Sequence, residues 1–416
     1  MRFLKKHYHW IIAFIVFLEM LIYGGICNSI SVFIIPLTES LGVSRSSLSI
    51  AISVRQLTSF LGTLITASFL QRYDYKVSSI FCLLSAALSL ALMAVSKSLI
   101  MIGLGNALFG LSYGICTTAG SVWIIKRWFC KHQGLVLGIV SMASGFGGSL
   151  MTMWLTQIIE LHSWQYAYGF AALTVLFIAA IYLLLQDKPE TMRLQPYGSG
   201  FVPKKAGKTI DSEFPGHTLK ELLRLPQFYL MVLCTLLSSI CVLLPFNVFV
   251  PHFQDQGYSA SEAAQFFSVA MLISSFAKLL CGWLSDRIGA KKVTILCACF
   301  AMAGLLLLAD VSNPITSFLG TVSFSLGFPA STIIVPLLTM PLFGYRAYSN
   351  TVGIFLSITS IGNLVSGPLG NAFFDSFGSY RLILQIVALL NALVIVLYFI
   401  LFALCAREKK RQLSAT

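Results

Sequence analysis

Long apolar runs set the terms for this chain. They recur near 10–36, 46–70, 77–95, 98–126, 134–156, 164–186, 227–250, 262–285, 290–309, 313–341, 348–371 and 381–405. A helix needs about 20 apolar residues to cross a hydrocarbon core of about 30 Å, so each run can span a bilayer. Composition agrees: of 416 residues, 57% are apolar and 10% charged, against roughly 25% charged in a soluble domain. So few charges cannot clothe a water-facing surface. A soluble enzyme, a disordered chain and a nucleic-acid-binding module are excluded. The expected fold class is an all-α membrane protein, with twelve transmembrane helices in two pseudo-symmetric six-helix halves.

The net charge of +13 is distributed as a bilayer would dictate. Of 28 Lys and Arg, 23 fall in one set of alternate connecting segments. Three (Arg45, Lys97, Arg381) fall in the other set, and two (Arg55, Lys278) lie inside runs. This asymmetry follows the positive-inside rule and predicts both termini in the cytoplasm, hence an even number of spans. It speaks for lipid rather than nucleic acid as the partner of the basic loops. Trp10, Trp128, Trp154, Trp164 and Trp283 fall near run ends, where indole favours the interface. The first run continues to Pro36 without a small-residue cleavage site, so it reads as the first span rather than a leader. The ten cysteines sit mostly within runs, as Cys27, Cys116, Cys234, Cys297 and Cys299 do. No disulfide framework or metal cluster is readable, and no cofactor is expected.

One long polar stretch, 187–225, rich in Pro and Gly, divides the chain. The expected units are an N-terminal bundle over 1–186, a cytoplasmic linker over 187–225, and a C-terminal bundle with a short tail over 226–416. The halves repeat. Ser112-Tyr113-Gly114 matches Ser325-Leu326-Gly327 at an offset of 213, and the loop around Arg72 matches that around Arg287 at an offset of 215. Helix breakers fall in spans 1, 4, 7 and 10: Gly24-Gly25, Gly110 and Gly114, Pro245, Gly327 and Pro329. Interrupted helices at matching places in two halves point to a transporter's binding site.

Gly282, Asp286, Arg287, Gly289, Lys291 and Lys292 resemble the signature loop of the major facilitator superfamily, G-x-x-x-D-R-x-G-x-K-K. The copy after span 2 departs from it at Gln71 and Asp74. Within that superfamily, the segment Arg127-Trp128-Phe129 to Gly138 is similar to the W-F-x-x-x-R-G-L-x-x-G of the monocarboxylate porter and oxalate/formate antiporter group, with Gln133 in place of the arginine. Asp187 to Gly198 is similar to the linker of that group's bacterial members. The resemblance implies a secondary carrier of the plasma membrane, not an enzyme, working by alternating access as a monomer. Its expected cargo is a small organic anion, a monocarboxylate, with or without proton symport. Efflux of amphipathic drugs or metabolites, anion exchange, and a transporter-like sensor are the competing readings.

Lys278 carries the expectation. It lies eight residues before Asp286, about 12 Å into the membrane, where a charge costs at least about 2.5–3.5 kcal/mol. The resemblance places there an arginine that binds the substrate carboxylate; lysine keeps the charge without the bidentate fork. A structural ion pair is the alternative. Arg55 in span 2 is a second candidate, for anion binding or for pairing within the bundle. Glu19 is the only carboxylate deep in a run, and so the proton-coupling candidate, unless it pairs with Lys278 or Arg55. Asn28, Tyr113, Asn247 and Thr359 are expected to line the cavity by position. Asn28 and Thr359 stand where the resemblance implies lysines in spans 1 and 11, so one central cation favours a monocarboxylate over a dicarboxylate. Asp286, Arg287, Lys291 and Lys292, with Gly282 and Gly289, form the expected conformational latch. Gly138, Gly145, Gly147, Gly148, Gly362, Gly367 and Gly370 are expected to let helices approach closely where the halves slide.

Overall fold

The computed structural model describes residues 7–130, 133–185, 194–198, 219–331, 334–344 and 348–415. Among the described residues the structure is helical, with a single isolated bridge, Phe129–Tyr197. Eleven helices are long and apolar enough to cross a membrane, and twelve if one pair bent by 42° counts as a single span.

The first expected run breaks. Helix α1 (Tyr8–Asn28) gives way to a tighter turn at Ile30–Phe33, and α2 (Ile34–Leu41) ends on Gly42 at φ +62°. Then come α3 (Arg45–Arg72), capped by the Ser44 hydroxyl, α4 (Tyr75–Ala94) and α5 (Leu99–Tyr113), capped by Ser98. These hydroxyls satisfy a first-turn N–H that would otherwise lack a partner. A wider π-helical segment, Gly114–Gly120, joins α5 to α6 (Ser121–Trp128). Next follow α7 (Gln133–Leu161), α8 (Trp164–Leu184) and the short α9 (Leu219–Leu222).

In the second half α10 (Pro226–Asp255) starts on proline and runs unbroken through Pro245 and Pro251. The break expected in span 7 is therefore absent; membrane helices tolerate proline where neighbours re-satisfy the freed carbonyl. Helices α11 (Ala260–Ile288) and α12 (Ala290–Leu308) meet at Gly289. Helix α13 (Pro314–Gly327), capped by the Asn313 side chain, turns through Phe328–Ser331 into α14 (Ile334–Phe343). Helices α15 (Tyr348–Phe377) and α16 (Arg381–Ala415) complete the chain. The α-helix is thus interrupted in spans 1 and 10 and changes to a π-helix in span 4.

The chain divides into two compact units, Met1–Ala206 with Tyr258–Leu272, and Gly207–Gly257 with Ile273–Thr416. In the first, α1 packs on α7, α4 on α8, and α4 on α5. In the second, α10 packs on α15, α12 on α16, and α12 on α13. Numbered by span these pairs are 1·5, 3·6 and 3·4, then 7·11, 9·12 and 9·10, so the duplication suggested by the sequence offsets recurs in the packing. Apolar side chains such as Phe81, Leu104 and Phe177 are exposed, as a lipid-facing surface requires.

Several expected sliding glycines serve inside a unit instead. A Cβ on Gly147 would strike the Leu21 carbonyl of α1, and one on Gly362 would strike Ser239 of α10. Of the linker 187–225, only 194–198 and 219–225 are described; the stretch Asp187–Arg193 and most of the basic residues beyond it lie outside the described residues. Tyr197 N–H donates to the Trp128 carbonyl and Cys130 N–H to the Tyr197 carbonyl, both at 2.8 Å. The Tyr197 ring stacks on His9 at 4.6 Å. Two motifs separated in sequence, around Phe129 and Tyr197, are thus joined.

Candidate functional site

Glu19 of α1 is fully buried. Cys116, brought in by the π-helical segment, donates its thiol to Glu19 Oε1 at 2.8 Å. The Tyr182 hydroxyl of α8 donates to Oε2, and lies 3.3 Å from the hydroxyl of Tyr75 at the start of α4. Four segments of the first unit thus converge on one carboxyl, which has no cationic partner among the described residues. The expected alternative of a Glu19 salt bridge is not what forms. Cys116 lies within the π segment, and such turns cluster at functional sites. Tyr182 and Cys116 escaped the sequence reading because both count as residues at home in apolar runs. The signal available was the hydroxyl of Tyr182 within an otherwise aliphatic stretch, since a buried hydroxyl needs a partner.

Arg55 of α3 is buried, 4% exposed. Its guanidinium carbon lies 5.9 Å from the Phe109 ring centre, and its buried Nε has no hydrogen-bond partner. Phe109 and Tyr113 lie parallel at 6.4 Å, and Tyr23 sets its edge against them at 4.7 and 5.3 Å. The Tyr168 hydroxyl is also buried without a partner. A buried cation beside an aromatic wall, with no carboxylate paired to it among the described residues, is a surface that an anion can complete.

The second unit carries Lys278, half-buried on α11. Its ammonium lies 5.3 Å from the Phe328 ring centre, and Phe246 of α10 lies 5.3 Å from Phe328 in turn. Phe328 opens the short turn Phe328–Ser331 that follows α13, with Pro329 next to it. The alternative reading, a structural ion pair, is not what forms: among the described residues no carboxylate lies within ion-pair distance of Lys278. Sequence reading marked Gly327 and Pro329 as breakers but missed Phe328 between them.

The remaining candidates divide. Asn247, next to Phe246 and half-buried, makes no hydrogen bond among the described residues, so its amide is available. Asn28 is committed: its Nδ2 donates to the Ser144 carbonyl at 3.0 Å. Thr359 bonds back to the Phe355 carbonyl at 3.1 Å within its own helix. Of the latch residues, Asp286, Arg287 and Lys292 are exposed. The Arg287 guanidinium stacks over Trp283 at 4.1 Å, and the Lys291 ammonium lies 5.5 Å from the Phe402 ring. Asp286 makes no ion pair among the described residues. Gly289 supplies the hairpin turn at φ +90°, a conformation that a side chain at this position would strain.

Comparison with known proteins agrees with this architecture. The chain is 25% identical to "Monocarboxylate transporter 12-B" of Danio rerio, over 79% of this chain and 73% of that protein. It is 24% identical to "Monocarboxylate transporter 12" of Homo sapiens, over 72% of this chain and 61% of that protein. It is 26% identical to "MFS-type transporter 1" of an Ophiocordyceps species, over 82% and 72%. Among solved structures, a bacterial homologue of the human lysosomal transporter Spinster superposes with a TM-score of 0.76 at 14% identity, over 95% of this chain and 97% of that one. A D-xylose–proton symporter superposes at 0.73 and 13% identity, over 93% and 96%; at such identities the likeness is one of fold. Residues 10–349 match the sequence profile of the Major Facilitator Superfamily, and the chain belongs to it.

Proposed function

We propose that this protein is a secondary carrier for a small organic anion, a monocarboxylate, and that Lys278 binds the carboxylate. The observation that carries the reading is a lysine ammonium within an apolar helix, against an aromatic ring, with no carboxylate partner among the described residues. Cation–π contact contributes about 2 kcal/mol or more when desolvated. That goes part of the way toward the cost of at least about 2.5–3.5 kcal/mol for a central charge, and a negatively charged ligand would supply the rest. Arg55 offers a second unpaired cation in the other unit. The printed names of the Danio rerio and human relatives point the same way. We further place the protein in the plasma membrane with both termini cytoplasmic, on the charge asymmetry of its loops, and assign Glu19 as the proton carrier. No nucleic acid or cofactor enters this scheme, and the working unit is the monomer.

Lys278→Met tests the proposal. A charge-assisted hydrogen bond is worth about 1.5–3 kcal/mol, so binding of a small monocarboxylate should weaken about 10–100-fold, measured as the thermal shift that ligand produces. The unliganded variant should melt no lower than the parent. Removing one member of a buried ion pair would instead destabilise by about 3–5 kcal/mol. Retained carboxylate binding, or a large drop in the melting temperature without ligand, would refute the assignment. Export of an amphipathic drug that survives Lys278→Met would favour the efflux reading.

A further inference from the structure

Helices α11 and α12 run back from a turn made by the single residue Gly289. Cys281 lies eight residues before that glycine and Cys297 eight residues after it. At about 1.5 Å per residue both stand about 12 Å from the turn, at one level of the hairpin. The structure agrees with the spacing: the two Sγ atoms are 3.3 Å apart, and both thiols are buried and unoxidised. Cys281 also follows Lys278 by three residues, which places it on the same face of α11, one turn away. Neither cysteine has a part in the anion site. Two buried thiols in contact, at matched depth across a hairpin, are placed to react with one another.

We propose that Cys281 and Cys297 are a peroxide-responsive dithiol, closing to a disulfide that fixes the Lys278-bearing half of α11 to α12 and slows transport. The chemistry needs only a hydroperoxide, small and neutral enough to reach a buried thiol. The thiolate of one cysteine attacks a peroxide oxygen; the O–O bond breaks, an S–O bond forms, and one water leaves. The second sulfur attacks the resulting sulfenic acid; the S–O bond breaks, the S–S bond forms, and a second water leaves. Two thiols and one hydrogen peroxide become one disulfide and two waters. Closing the gap to a bond of about 2.05 Å needs the sulfurs to approach by roughly 1 Å, which draws the two arms of the hairpin together and so changes how α11 sits against α12. On the side we assign to the reducing cytoplasm the thiols are the resting state and the disulfide a transient signal. The staple sits one turn from Lys278, across the hairpin that presents Asp286, Arg287, Lys291 and Lys292.

The test uses the full-length protein in proteoliposomes treated with hydrogen peroxide. Peptide mass spectrometry should find Cys281 and Cys297 joined with the loss of two hydrogens, and both should become resistant to maleimide until dithiothreitol is added. Thermal unfolding should shift upward on cross-linking, and counterflow of a small monocarboxylate should fall several-fold and recover on reduction. Cys281→Ser and Cys297→Ser should each keep the resting rate and lose the peroxide response; alanine at either position serves if a serine variant fails to fold. Absence of the cross-linked peptide, full cross-linking with unchanged counterflow, or inhibition that persists in both single variants would overturn the proposal. The cross-link and the melting shift are read without substrate, so failure of the carboxylate assignment would be seen separately.

Discussion

Arg55 and Lys278 interrupt apolar runs, and a charge there is costly enough to be visible in sequence alone. What surrounds each was not visible. Phe109 faces Arg55 from another helix, and Phe328 meets Lys278 from the short turn that follows α13. Glu19 was likewise legible as a misplaced carboxylate, whereas Cys116 and Tyr182 depend on a π-helical turn and a distant helix, neither of which leaves a local pattern. Asp310 shows how the same carboxyl chemistry behaves in water. In the turn before α13 it accepts from Ser312 and pairs with Arg381 at 3.1 Å. The Ser312 hydrogen bonds, and then the Arg381 charge, hold its carboxyl below the usual carboxylate range. A depressed folded value adds stability above the unfolded pKa of about 4 and loses it as pH falls through the folded one. Asp310→Asn should therefore lower the melting temperature slightly at neutral pH, the pair being half-exposed. In strong acid parent and variant should melt alike; a difference that persists there would mean the ion pair is not its source.

At the scale of elements, the sequence located the apolar runs well because hydrophobic length is a long, redundant signal. It located helix breaks less well because a break is decided by neighbours. Pro245 was expected to interrupt span 7 and does not; Gly114 marks a change of helix type rather than an end. Glycine use is likewise a property of pairs. Gly147 meets the Leu21 carbonyl of α1 so closely that any side chain must push the helices apart, while Gly138 on the same helix has nothing within 4 Å of its would-be Cβ. Intrinsic propensity favours alanine over glycine in a helix by about 1 kcal/mol, and overpacking costs about 1–3 kcal/mol. The two substitutions should therefore differ in sign. Gly138→Ala should leave the melting temperature equal or raised, and Gly147→Ala should lower it. Thermal unfolding of the two in the same detergent decides this, and equal behaviour would mean that the contact between α1 and α7 yields freely.

For the molecule as a whole, two positive charges and one carboxyl are built into apolar helices. With Glu19 ionised the sum is +1, and one monoanion neutralises it; with a proton on Glu19 the sum is +2, and anion binding is favoured further. Proton and anion should then move in the same direction. The carboxyl is held by two neutral donors, Tyr182 and Cys116, rather than by a cation, so a proton gained or lost there is not answered by a fixed counter-charge beside it. Under the proposed function, the charge of the bound anion is what responds. Initial uptake of a small monocarboxylate into proteoliposomes should rise when the outside is made acid, and collapse of the gradient by a protonophore should cancel the rise. Glu19→Gln, which keeps the hydrogen-bonding shape and fixes the neutral form, should flatten the pH dependence while exchange of internal for external carboxylate continues. A parent protein whose uptake ignores the gradient would reduce the Glu19 cluster to a polar tie between α1, α8 and the π-helical segment, and the anion proposed to bind at Lys278 would then travel without a proton.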